Sequence, residues 1–155
     1  MASTATLDDR GIITPCPSCG QRNRVAFGHA GKCGKCGTEL PVAAEPIDVP
    51  DTAAFDGLIA ASKLPVVVDF WAPWCGPCRM VAPELARVAA GNAGRYVVVK
   101  VNTDVLTELG ERYGIRSIPT MAVFAGGKEI GRSAGARPAK DIEAFVESVV
   151  ASPRG

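Results

Sequence analysis

Val66-Val67-Val68-Asp69-Phe70-Trp71-Ala72-Pro73-Trp74-Cys75-Gly76-Pro77-Cys78 decides the fold of this chain. Its first half is a continuous apolar run, the pattern of a strand buried on both faces. Its second half places two thiols at positions i and i+3 where a helix would begin. A helix rises about 1.5 Å per residue, so such a pair sits close to disulfide reach without a long loop. Cys75 is the expected attacker, because unpaired N–H groups and the positive end of the dipole at a helix mouth favour a thiolate. Cys78, one turn in and more shielded, is the expected resolver that displaces a mixed disulfide formed by Cys75. Gly76 lets another backbone approach closely, and Pro77 fixes φ where its missing N–H costs little, so the two tune the redox loop without reacting. A Cys-x-x-Cys is also half of many metal sites, but the buried strand leading into this one argues for redox chemistry.

Outward from this stretch, strand signals alternate with helix signals. Asp51 is a plausible cap for a helix carrying Phe55, Leu58 and Ile59, which runs to about Ser62. The cysteine helix should extend from about Cys75 to Ala90, with Pro83 predicting a kink. Tyr96 to Val101 reads as a second apolar strand, and Leu106, Leu109 and Tyr113 as a short helix ending at Gly114. Thr120 to Ala125 and Lys128 to Ser133 flank Gly126-Gly127, the signature of an antiparallel hairpin. Pro138 then opens a helix whose buried stripe is Ile142, Phe145, Val146, Val149 and Val150, and residues 152–155 should fray. The sum is an α/β fold, a mixed sheet with helices on both faces. Asp69 is a carboxylate inside an apolar strand, so burial should raise its pKa and equip it to move protons, unless it faces solvent at the strand end.

The block VVVDFWAPWCGPCRMVAP, followed at a distance by YGIRSIPT, closely resembles the thioredoxin family, and the resemblance runs from roughly residue 46 to 152. It implies the thioredoxin fold and a protein-disulfide reductase working by dithiol–disulfide exchange, since Gly-Pro between the cysteines is the pair that the family's reductants use. It places Asp69 behind Cys78 as the base for the resolving step. Lys100, on the neighbouring strand, either modulates the proton affinity of that site or snorkels to solvent. The resemblance also implies a cis bond before Pro119, leaving the Ile118 backbone free to pair with an extended client segment. Trp74, with the backbone near Gly135 and Ala136, would complete a shallow apolar client surface, while Trp71 divides between core and active-site wall. Pro73 occupies a position that varies in the family. The implied partners are client proteins with disulfides and an NADPH-dependent thioredoxin reductase, and no organic cofactor is expected.

Upstream lies Cys16-Pro17-Ser18-Cys19, thirteen residues, then Cys33-Gly34-Lys35-Cys36, with Gly20 and Gly37 after the two pairs. Four thiolates from two tight turns complete a closed tetrahedral site, which suits one structural zinc. So small a segment buries too little apolar surface to fold alone, and the metal would supply the missing stability. Local disulfides, a second redox pair and a nucleic-acid-binding ribbon are the competing readings of these cysteines. His29 reads as an exposed loop residue, and Arg22, Arg24, Lys32 and Lys35 as solvated surface rather than a binding patch. Residues 38–46 look like a linker that ends in an edge strand, dividing the chain into a zinc-binding module, 1–44, and a thioredoxin domain, 45–155. A four-cysteine extension before WCGPC resembles the bacterial thioredoxin 2 type, also called thioredoxin C, which carries zinc. A redox-switched protein, whose module releases zinc on oxidation and engages a partner, is the alternative function.

The 155 residues are 47% apolar, enough for a core, and carry a formal charge of +1. Residues 1–44 hold five Lys/Arg against three Asp/Glu, and the rest twelve against thirteen, so no strong field supports nucleic-acid binding. The start, MASTATLDDRG, lacks a secretory pattern, and no window approaches the roughly 18 apolar residues of a membrane span. A cytoplasmic monomer is expected, and six cysteines in three tight pairs point to metal and redox chemistry rather than a disulfide scaffold.

Overall fold

Asp51 caps helix α1 (Thr52–Ala61), its carboxylate accepting the Ala54 N–H at 2.8 Å. The computed structural model describes residues 5–27, 31–40 and 43–151, so His29 and residues 152–155 lie outside the described residues. The apolar run forms β7 (Val66–Trp71), which leads into α2 (Gly76–Gly91) with Pro83 inside it. There follow β8 (Val97–Asn102), α3 (Thr107–Arg112), the hairpin β9 (Thr120–Ala125) and β10 (Lys128–Ala134), and α4 (Ala139–Ala151). With β6 (Ile47–Asp48), the five strands make one mixed sheet in the order β10-β9-β7-β8-β6. Strand β7 is central, parallel to β8 and antiparallel to β9. Its continuous apolar sequence follows from this place, since both its faces are covered.

Strand parity sorts the core into two layers. Val66, Val68 and Phe70 join Val97, Val99 and Val101 against Phe55, Leu58 and Leu109 of α1 and α3. Val67, Val98, Met121 and Val123 face Val81 and Leu85 of α2 and Ile142 and Val146 of α4. Asp69, two residues beyond Val67, therefore points to the α2 side.

The N-terminal residues form short antiparallel strands: β1 (Thr6–Leu7), β2 (Ile12–Pro15) and β3 (Arg22–Val25) in one sheet, β4 (Gly31–Lys32) and β5 (Glu39–Leu40) in another. The linker expected over 38–46 is thus corrected at its start. Glu39 and Leu40 pair with β4, and Leu40 is buried beside Cys16, Val25 and Cys33. Nor does the core stop at the expected boundary near residue 45. Leu7, Ile12 and Phe27 belong to the same apolar cluster as Ile47, Val49, Phe55 and Leu58. The contact is close. A Cβ on Gly57 of α1 would collide with the carbonyl oxygen of Asp9, which explains a glycine in the middle of a helix.

Candidate redox centre and cysteine cluster

Cys75 is the N-cap residue of α2, in extended backbone, and its Sγ accepts the Cys78 N–H at 3.2 Å. Pro77 lies in the first turn, where no hydrogen bond is lost. Cys75 and Cys78 are joined in a disulfide with Cα atoms 5.2 Å apart. In this oxidised form both cysteines are buried, Cys75 at 4% and Cys78 at 3% exposure. What distinguishes them is position. Cys75 Sγ lies 3.7 Å from the carbonyl oxygen of Ile118, on the edge facing solvent-exposed Trp74, whereas Cys78 is inside the helix.

The Ile118–Pro119 bond is cis. Gly135 donates its N–H to the Pro119 carbonyl at 2.8 Å, so Gly135 and Ala136 adjoin the proline loop. Trp74 is 67% exposed, and its indole N–H donates to Asp104 Oδ1 at 3.2 Å. Asp104 was not foreseen, since it approaches Trp74 only through the turn after β8. A groove of about 400 Å³ runs beside Trp74, bounded by Thr103, Glu111, Arg116 and Ile118.

Asp69 is 1% exposed and neither carboxylate oxygen has a hydrogen-bond partner among the described residues. Burial pushes its pKa up to about 7, against a smaller opposing pull from the charge of Lys100. Lys100 is the register partner of Asp69 on β8, and its Nζ lies 4.4 Å from the centre of the Trp71 ring. Lys100 is therefore half-buried against the indole, a cation–π contact, rather than extended into solvent. Trp71 is half-buried, and its indole N–H has no hydrogen-bond partner among the described residues.

At the other end of the chain, the Sγ atoms of Cys16, Cys19, Cys33 and Cys36 all lie within 4.8 Å of one another. Cys16 and Cys36 are 3.6 Å apart, Cys19 and Cys33 3.7 Å. Zinc–sulfur bonds of about 2.3 Å in a tetrahedron require sulfur separations of roughly 3.8 Å, so the cluster fits such an ion. The knuckle backbones contribute. Ser18 N–H points at Cys16 Sγ and Lys35 N–H at Cys33 Sγ, each at 3.4 Å. Hydrogen bonding from the Cys36 backbone, above all, holds the Cys33 thiol down at about 6, whereas the Cys19 thiol of the same cluster is raised to about 12. The four cysteines can hold a metal ion.

A thioredoxin family model matches residues 46–148. The chain belongs to the thioredoxin family. It is 42% identical over 110 residues to the chloroplastic M-type thioredoxin of Zea mays, covering 71% of this chain and 66%, just under two-thirds, of the maize protein. It is 46% identical over 95 residues to thioredoxin 1 of a Nostoc strain, covering 61% of this chain and 89% of that protein. Among solved structures, an N21Q mutant thioredoxin from Halobacterium salinarum superposes with a TM-score of 0.64 at 29% identity, covering 70% of this chain and 93% of that one. The thioredoxin of Plasmodium falciparum gives 0.61 at 32%, covering 65% and 96%. The fold is the thioredoxin fold, and the activity is thiol–disulfide oxidoreduction, the reduction of disulfides in client proteins. The maize relative is chloroplastic, so family membership does not place this chain in the cytoplasm. No helix among the described residues is long and apolar enough to cross a membrane.

Proposed function

We propose that Cys75 is the nucleophile of this reductase and Cys78 its resolver, with Asp69 as base. The Cys75 thiolate attacks one sulfur of a client disulfide. A Cys75–client bond forms as the client S–S bond breaks, and the released client sulfur leaves as a thiolate and takes a proton from solvent. Asp69 then accepts the proton of Cys78, whose thiolate attacks Cys75 Sγ and expels the second client sulfur, which is protonated in turn. The client gains two electrons and two protons, and the protein ends with the Cys75–Cys78 disulfide. Gly76 and Pro77 tune the loop, Lys100 biases the proton affinity of Asp69, and the client lies along Ile118 and Pro119 between Trp74 and Gly135. The observation that carries this reading is Cys75 Sγ at the mouth of α2, 3.7 Å from the Ile118 carbonyl. An NADPH-dependent thioredoxin reductase would return the pair to the dithiol.

The fit of the Cys16/Cys19/Cys33/Cys36 cluster to a tetrahedral ion supports one structural zinc, and with it the bacterial thioredoxin 2 type. We keep residues 1–44 as the zinc module and 45–155 as the thioredoxin domain, and read the protein as a cytoplasmic monomer. Bound there, zinc would cross-link the two knuckles and take no part in electron transfer. The exposure of Cys19 and Cys36 favours, as a second reading, release of the metal on oxidation. It requires peroxide to free zinc, read by a metal indicator, at doses that leave client reduction intact.

The deciding experiment couples NADPH, thioredoxin reductase and insulin. Wild-type protein is expected to consume NADPH and reduce insulin, Cys75→Ser to do neither, and Cys78→Ser to accumulate a covalent client adduct. Full activity in Cys75→Ser would sink the assignment.

A further inference from the structure

Four large apolar side chains stand exposed among the described residues: Trp74, Met80, Val105 and Val150. Three belong to the surroundings of the disulfide. Trp74 precedes Cys75, Val105 follows the Asp104 that holds the Trp74 indole, and Met80 lies on α2 shortly after Cys78. Met80 also walls a second hollow of about 310 Å³, shared with Val81, Glu84, Ala136, Arg137 and Pro138. This hollow adjoins the proline loop, because Ala136 follows the Gly135 that is bonded to the Pro119 carbonyl. Two hollows thus adjoin the proline loop beside Cys75, the Trp74 groove through Ile118 and the Met80 hollow through Ala136.

Their charges differ. The groove beside Trp74 carries both Glu111 and Arg116. In the Met80 hollow the single carboxylate is already committed: Glu84 Oε1 accepts the Ala139 N–H at 2.9 Å, and Oε2 is paired with Arg87. Arg137 is exposed and enters none of the ion pairs among the described residues, and the same holds for Arg79 beside Met80. The hollow thus offers an adaptable thioether wall and an uncompensated guanidinium at its rim.

We propose that the Met80–Arg137 hollow is a specificity subsite, receiving an aliphatic side chain beside a carboxylate in the client segment that flanks the attacked cysteine. The inference rests on the assignment of Cys75 and Ile118 above and adds a preference among clients. A guanidinium fork matches a carboxylate, and a methionine moulds itself to varied aliphatic shapes. Exposed charge at a rim acts mainly on the encounter rate, so the preference should depend on salt.

The test uses three disulfide-linked peptides with a leucine next to the attacked cysteine and glutamate, glutamine or lysine beside it. Single-turnover reduction by the full reduced chain is followed at low salt. The glutamate peptide is expected to react about threefold faster than the glutamine peptide, the scale of a solvent-exposed ion pair, and the lysine peptide slowest. Arg137→Glu should reverse the order. Equal rates for the three, or a glutamate preference that survives in Arg137→Glu, overturns the subsite while leaving the redox assignment standing. Failure to reduce any peptide, and hydroxyethyl disulfide as well, removes the Cys75 assignment and the subsite with it. A dimer seen by light scattering at assay concentration that Arg137→Glu dissociates would hand the hollow to a second copy, and overturns the proposal too.

Discussion

At the level of a single residue, Asp69 is a carboxylate held against a strong electrostatic penalty. Its pKa is raised in the folded chain, so between the ordinary carboxylate range and about 7 the native state binds a proton that the unfolded state has released. Stability therefore falls as pH rises through that window, and above it the buried charge costs on the order of 4 kcal/mol. Asp69→Asn removes that cost, so the variant should gain on wild type as pH goes from about 4 to about 8.5, by up to that amount in urea unfolding. A constant difference across this range would contradict the burial argument. Its catalysis should move the other way. Release of the mixed disulfide is expected to slow about 100-fold or more, as for loss of a general base. A single-turnover trace resolving attack from release would show it, with attack by Cys75 nearly unchanged. Asp69 was legible because a carboxylate inside Val66-Val67-Val68 and Phe70-Trp71 is anomalous on its face. Asp104 was not legible, because an aspartate in a polar turn is ordinary and only tertiary proximity gives it the Trp74 indole. Met80 was hidden for the opposite reason: a methionine in an amphipathic helix reads as core, and here it is 73% exposed.

At the level of elements, α1 is a helix with a place reserved on its back. Its mid-helix Gly57 would by propensity be stabilised by alanine, by about 0.5–1 kcal/mol. The Asp9 carbonyl occupies the space a methyl group needs, and backbone yields less readily than a side chain. Gly57→Ala should therefore lower stability by about 1–2 kcal/mol, read as a reduced urea midpoint with an unchanged slope. A more stable variant would mean that the module lifts away from α1 without cost. The long elements of the thioredoxin domain were readable because each carries a strong local signal: the Asp51 cap, the Val66–Trp71 run, Gly126-Gly127 between the hairpin strands, and Pro138 ahead of α4. The strands β1 to β5 were not. Each has two to four residues, too few for any periodicity, and their pairing is set by the cysteine knuckles and by contact with α1.

In the whole molecule, the two parts share one apolar layer. Leu7, Ile12 and Phe27 lie with Phe55 and Leu58, so the ribbon is held from below by the sheet domain and from within by its cysteines. The metal proposed for the four cysteines should therefore support the thioredoxin domain as well. A strong chelator, or Cys16→Ser, is expected to lower the melting temperature of the entire chain by several degrees, a shift of about 2–4 °C for each kcal/mol lost in a unit of about 150 residues. Calorimetry alongside metal content per chain would check it. A main transition that stays in place after the metal is gone would show that the ribbon is only a passenger.

The main sheet has two borders. At β10, the charges of Lys128, Glu129 and Arg132 and the bulge between Glu129 and Gly131 discourage another chain from adding a strand. At β6, the border is only two residues long and carries the exposed Asp48, and β1 lies against it. The N-terminal module thus also covers the second border: a chain in which β1 is loosened would expose the β6 side to strand addition, while the charged β10 side stayed inert.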